Sequence, residues 1–185
     1  MTDSDELWQA YNEQGEPTRQ LTKDEARAGA LHGAVHIWIW HRDGERVRVL
    51  LQLRSAGNAT WPGYLDASAA GHVNHGETPL DTATRETNEE IGAHVAGSDL
   101  RLLFTYRQNL IAPPNSIVEN EHLWVYGLQL DPRKRFDLID GEVESLRWVQ
   151  LDDLKRLASD AAGSNLIPHG EQYFAQLFNA IDQSR

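Results

Sequence analysis

The alternation of apolar and polar positions divides the chain into strand-like and helix-like runs. "LWQAYNEQGEPTRQL" reads as a strand, a glycine-containing turn and a second short strand. "GAVHIWIWH" and "VRVLLQLR" are β-rich runs on either side of "RDGE", where Asp43-Gly44 is a strong hairpin signal. "RSAGNATWPGYLD" reads as a loop. "PLDTATRETNEEI" has helical punctuation: Thr78 as N-cap, Pro79 at the first helical position, Asp81 completing a capping box, and Gly92 as the stop. "LRLLFTY" and "EHLWVYGLQL" read as strands around the loop "APPNS". "SLRWVQL" is a short strand leading into a helix over "LDDLKRLA". In "GEQYFAQLFNAI" the residues Tyr173, Phe174, Leu177, Phe178 and Ile181 recur at helical spacing, a stripe suited to core packing more than to a ligand box.

Composition narrows the class. A chain of 185 residues suits one domain with one sizeable core, expected over 1–185. With 40% apolar and 24% charged residues it reads as an ordinary soluble globular protein. The formal net charge of −11 argues against a nucleic-acid polymer as partner, since that needs a basic footprint. No apolar run reaches the length of a membrane span, and the acidic opening "MTDSDELW" lacks the form of a secretory signal. The chain has no cysteine, which removes disulfides, thiolate metal sites and a cysteine nucleophile. A cytoplasmic protein is the expectation.

The helix over "PLDTATRETNEEI" carries the chemistry. At about 100° per residue, Leu80, Ala83, Thr84, Thr87 and Ile91 share a face expected to pack, and Glu86, Glu89 and Glu90 share a separate arc. Each like-charge pair at i,i+3 or i,i+4 destabilises an isolated helix by roughly 0.2–0.5 kcal/mol. Taken alone, the cluster is either a solvated acidic face or a site for a hard cation such as Mg²⁺, which takes oxygen ligands.

The surroundings favour the cation. Gly71, Glu77 and the run Arg85-Glu86-x-x-Glu89-Glu90-x-Gly92 stand at the spacing of the Nudix box, and every glycine, glutamate and arginine of that pattern is present. Thr87 and Ala93 stand where the family prefers larger apolar residues. The chain therefore resembles the Nudix family. The resemblance implies an α/β fold, an α/β/α sandwich around a mixed β-sheet. It makes Glu86, Glu89 and Glu90 metal-binding carboxylates, with Gly71 offering a backbone carbonyl. Glu77 supports the site and Arg85 orients a glutamate. The implied cofactor is Mg²⁺, with Mn²⁺ as a substitute, and the implied partner is a small-molecule diphosphate. The catalytic set is Glu86, Glu89, Arg85 and Glu77.

From about residue 5 to residue 150 the chain is also similar to the isopentenyl-diphosphate isomerases, a branch of the same superfamily. The words "WPG", "GH" and "IVENE" carry that likeness. It implies a second metal site at His32, His72, Glu119 and Glu121, places another isomerase histidine at Glu25, and makes Arg54 a diphosphate contact; a solvated strand-end charge is the other reading of Arg54. The departures are as informative. Ala70 stands where the isomerases have their catalytic cysteine, Asn58 where they have a lysine, and Glu86 and Glu89 where they have arginine and tyrosine. Trp38, Trp40, Trp61 and Trp124 read first as core residues, with stacking on a base or an isoprenoid tail as the other reading.

The expected layout is an N-terminal hairpin extension over about 5–25, the box loop and helix over 71–93, and a C-terminal helix over about 169–183. The expected activity is Mg²⁺-dependent hydrolysis of a diphosphate linkage in a nucleoside diphosphate derivative or related organic diphosphate. The rivals are a prenyl-diphosphate isomerase and a non-catalytic nucleotide sensor. The loop "QNLIAPPNS" and the C-terminal segment are the expected sources of specificity, and a homodimer stays open.

Overall fold

The computed structural model describes residues 7–139, 141–160 and 163–184. The N-terminal hairpin pairs β1 (Leu7–Tyr11) with β2 (Pro17–Thr22); residues 5 and 6 of the expected extension lie outside the described residues. A short helix follows, α1 (Lys23–Arg27), which the sequence reading missed. Its signal is a capping box in which Thr22 accepts from the Glu25 N–H and the Glu25 carboxylate accepts from the Thr22 N–H.

The hairpin of β3 (His32–Asp43) and β4 (Arg46–Arg54) turns one residue later than the Asp43-Gly44 signal: Asp43 pairs with Arg46, so the turn residues are Gly44 and Glu45. Two short strands, β5 (Leu65–Asp66) and β6 (Ala69–His72), occupy the stretch read as loop and box approach. Then come α2 (Pro79–Ile91), β7 (Arg101–Ala112), β8 (Ile117–Gln129), β9 (Val143–Gln150), α3 (Leu151–Ser159) and α4 (Glu171–Gln183). The C-terminal helix thus begins at Glu171, two residues after the expected 169.

The nine strands form a mixed sheet in the order β2-β1-β3-β4-β5, with β6 and β8 against β3, β7 outside β8, and β9 on β4. The β3–β8 pairing is parallel; the others are antiparallel. From His32 through Trp40 β3 is buried without a break, the mark of a strand covered on both faces. The period of two sorts its side chains. Ala34, Trp38 and Trp40 join a core with Leu154 of α3 and Tyr173, Phe174, Leu177 and Ile181 of α4. Val35, Ile37 and Ile39 join a second core with Ala83 and Ile91 of α2. The α/β/α sandwich follows from that split. No helix among the described residues is long and apolar enough to cross a membrane.

On α2 the packed face is displaced from its expected position. Leu80 is exposed and Thr84 half-buried, whereas Glu90 is fully buried beside Ala83, Thr87 and Ile91. The helix geometry explains the correction: Glu90 follows Thr87 by three residues and Ala83 by seven, and so shares their face. The acidic arc is therefore divided between solvent and core. Thr87, in place of a larger apolar residue, donates its hydroxyl to the Ala83 carbonyl at 2.6 Å and stays buried. At Gly92 the helix ends in the left-handed region (φ 61°), where a Cβ would lie 2.9 Å from the Asp137 carbonyl oxygen.

Candidate active site

A cleft of about 710 Å³ is walled by β3, β6, β8, α1, α2 and the loop after β4. Two acidic clusters meet in it.

The first is the corner where α2 faces β6. Arg85 is its hub. Its Nε and Nη2 donate to the two oxygens of Glu77 at 3.0 and 3.1 Å, and its Nη1 donates to Glu86 at 2.8 Å and Glu89 at 3.0 Å. Glu77 also accepts from the Thr82 hydroxyl at 2.8 Å. One guanidinium thus serves three carboxylates. Gly71 lies directly over Glu86: a Cβ there would sit 2.0 Å from the Glu86 Oε1, so only glycine fits. Glu90 turns under β6, where its Oε2 accepts from the Ala70 N–H at 2.9 Å. Burial pushes the Glu86 carboxyl up to about 8 against the opposing pull of Arg85. The arrangement brings Gly71, Glu77, Arg85, Glu86 and Glu89 into contact and sets Glu90 behind them. The oxygen-only donor set suits Mg²⁺.

The second cluster lies across the cleft. The Glu121 Oε1 stands 3.6 Å from His32 Nε2 and 3.5 Å from His72 Nε2. One donor atom from each of the three lies within 4.8 Å of the others, the spacing of ligands around a single ion. His32 Nδ1 donates to the Ala30 carbonyl at 2.9 Å, which aims Nε2 at Glu121. Trp8 stacks on His72 with ring centroids 3.7 Å apart. Glu119 lines the same wall and accepts from Trp61 Nε1 at 2.9 Å; burial, reinforced by the charge of Glu121, pushes its carboxyl up to about 7. Burial alone would raise Glu121, yet the hydrogen bonds and charges of His32 and His72 hold it well below the usual carboxylate range. Two imidazoles and a carboxylate suit a transition-metal cation.

Arg54 lines the cleft, held by Thr60 through its Nε at 3.2 Å and standing 3.8 Å from Asp66. Glu25 does not join either cluster. It is exposed, pairs with Arg19 at 2.9 Å and caps α1, while Arg27 from the last turn of α1 reaches the cleft instead. The short helix fixes which residue faces inward.

Besides Arg27, three buried polar residues of the cleft were absent from the sequence reading. Gln108 is buried in β7, within the segment read as a specificity loop; that segment is strand as far as Ala112. Asp66 and His169 are buried beside it, and His169 Nε2 lies 3.1 Å from Asp66 Oδ1. A polar residue amid apolar neighbours just before a helix, as in "LIPHG", is the faint signal that could have found His169.

The NUDIX domain family matches residues 30–169. Nudix hydrolase 3 of Arabidopsis thaliana is 32% identical over 162 residues, 85% of this chain and 20% of that protein. An isopentenyl-diphosphate Delta-isomerase of Citrobacter koseri is 29% identical over 153 residues, 81% of this chain and 80% of that protein. The crystal structure of DR0079 from Deinococcus radiodurans superposes with a TM-score of 0.67 at 22% identity, covering 94% of this chain and 98% of that one, a likeness of fold. The chain spans between a fifth and about three fifths of the length of the first curated relatives it matches.

Proposed function

The chain belongs to the Nudix family, and from that premise we propose that it hydrolyses a diphosphate linkage in a nucleoside diphosphate derivative or related small organic diphosphate, with Mg²⁺ at the α2 corner. The observation that carries this reading is the close approach of Gly71 to Glu86 inside the cleft. A glycine with no room for a Cβ lets the β6 backbone approach the Glu86 carboxylate closely, and a small oxygen-ligated cation takes donors of both kinds.

A bound Mg²⁺ supplies charge neutralisation of the phosphate oxygens and a water of lowered pKa. The chain's own groups supply the rest. Glu86 and Glu89 offer carboxylate oxygens to the cation, and Mn²⁺ suits the same donors. Glu77 anchors Arg85, and Arg85 fixes the directions of Glu86 and Glu89. Glu90, tied to the Ala70 N–H, holds the helix against β6 from beneath. Water attacks phosphorus, the bridging P–O bond breaks, and a carboxylate on the α2 face takes the water's proton. Arg54 holds diphosphate charge on the opposite side.

The test is a screen of nucleotide and non-nucleotide diphosphates with Mg²⁺ or Mn²⁺, read as orthophosphate after coupling to a phosphatase. Cation-dependent release, lost in Glu86→Gln, is the expected result. Saturable binding with no release by the wild-type protein would instead favour a sensing module.

One observation favours a second reading, a prenyl-diphosphate isomerase: His32, His72, Glu119 and Glu121 line one wall. Ala70 opposes it, presenting a methyl group where a proton donor or acceptor is required. The isomerase reading requires deuterium uptake from heavy water into isopentenyl or dimethylallyl diphosphate above a no-enzyme control; none is expected.

A further inference from the structure

Beneath the cleft a line of buried polar side chains joins its two walls. Gln108 Nε2 donates to Glu121 Oε2 at 3.0 Å. That orientation turns Gln108 Oε1 toward His169 Nδ1, 2.8 Å away. The other ring nitrogen, Nε2, meets Asp66 Oδ1 at 3.1 Å, and Asp66 Oδ2 stands 3.8 Å from Arg54 Nη1. An amide oxygen and a carboxylate only accept, so the His169 ring donates from both nitrogens. Gln108, His169 and Asp66 are each almost completely buried. Burying such groups is costly unless each is bonded, and here each is. The ring itself is wedged against His36, Tyr173 and Phe174, with centroids 4.7, 4.7 and 5.9 Å away. It has no slack along the line.

We propose that His169 is a positioning residue that ties the Glu121 carboxylate to the Arg54 guanidinium, through Gln108 on one side and Asp66 on the other, so that a cation at His32, His72 and Glu121 and a diphosphate at Arg54 bind cooperatively. The part of Arg54 rests on the diphosphate reading above. Each ligand needs its own wall held in place. A cation fixes Glu121, which sets Gln108 and the His169 ring; the ring sets Asp66, and Asp66 holds Arg54 where a diphosphate meets it. Coupling of this kind is reciprocal, so the diphosphate tightens the cation by the same factor.

The test separates this coupling from the α2 corner. Mn²⁺ is titrated calorimetrically into Glu86→Gln protein with and without methylenediphosphonate, a diphosphate analogue that does not hydrolyse, and protein-free titrations remove complexation in solution. The Mn²⁺ bound in that background requires Glu121 and is lost in the added Glu121→Gln variant. Methylenediphosphonate is expected to tighten it at least ~10-fold, and His169→Gln to cut that factor below ~2-fold. The glutamine amide can bond only one of the two partners that the ring bridges. Asp66→Asn, which keeps the shape and removes the charge, is expected to give the same loss; it decides the matter if His169→Gln does not fold by circular dichroism. Retention of the wild-type factor in either folded variant, absence of coupling in the Glu86→Gln background, or Mn²⁺ binding that ignores Glu121 would overturn the proposal. If instead Glu86→Gln keeps full Mg²⁺-dependent turnover, the α2 reading fails while the coupling is still measured.

Discussion

The two acidic walls of the cleft solve one electrostatic problem in different ways. At the α2 corner a single guanidinium faces Glu77, Glu86 and Glu89, so negative charge is left over. Across the cleft, Glu121 is enclosed by two imidazoles and by Gln108, and its charge is matched. An under-compensated cluster has the most to gain from a cation and from a substrate carried on it. A compensated one is suited to holding shape. The chemistry is therefore assigned to α2 and the anchoring to the wall of β3 and β8.

Arg85→Ala bears hardest on that contrast. It strips three carboxylates of their common partner, and because the site is only partly exposed the expected loss is about 3 kcal/mol. Urea unfolding with and without Mg²⁺ checks it: the cation should restore a substantial part of the loss, and no restoration would mean that the corner does not bind Mg²⁺. The matching change across the cleft, His32→Gln, should show no Mg²⁺ rescue.

Gly71→Ala is next. The added methyl collides with Glu86, which must swing away or push β6, at an expected cost of about 2 kcal/mol. Mg²⁺-dependent turnover should fall with it, while Mn²⁺ binding at His32, His72 and Glu121 should persist. Loss of both would erase the division between the walls.

The smallest effect is set by pH. His36 lies on the α4 face, its Nδ1 2.7 Å from the Tyr173 hydroxyl. Burial, with the neighbouring His169 adding to it, pushes His36 down to about 4 from 6.5; Asp66 and Glu121 pull the other way. Between those values the unfolded chain takes up a proton that the folded chain refuses. Stability from the neutral ring is complete above pH 6.5 and is lost as pH falls toward 4. Across the upper part of that window, from about pH 7 to about pH 5.5, the melting temperature should drop by about 4 °C, and by less in His36→Gln. An unchanged drop in the variant would shift the cause to the acidic groups around it.

Much of the fold was legible because its signals are local. The caps of α2, the β3–β4 hairpin and the apolar stripe of α4 each lie within one continuous stretch of sequence. The box residues were legible for the same reason, since one helix carries most of them. The packed face of α2 was misplaced because Leu80 was assigned to the core on hydrophobicity, whereas the sheet beneath the helix accepts Glu90 through the Ala70 N–H. Arg27 was overlooked because α1 is a single turn whose inward face periodicity does not reveal. Asp66 and Gln108 left no pattern and His169 only a faint one: they come from three separate segments and acquire meaning only where the fold brings them together.

The most direct test of the division of labour is a kinetic comparison of Glu86→Gln with Glu121→Gln, on whichever diphosphate the screen identifies, at saturating Mg²⁺. Glu86→Gln should lower kcat at least ~100-fold with a smaller change in KM, the scale of losing a metal ligand or general base. Glu121→Gln should lower kcat less than ~10-fold and act mainly on KM, as expected of lost substrate anchoring. The reverse order, with Glu121→Gln abolishing turnover and Glu86→Gln nearly wild type, would move the chemistry to the histidine wall and contradict its assignment to α2.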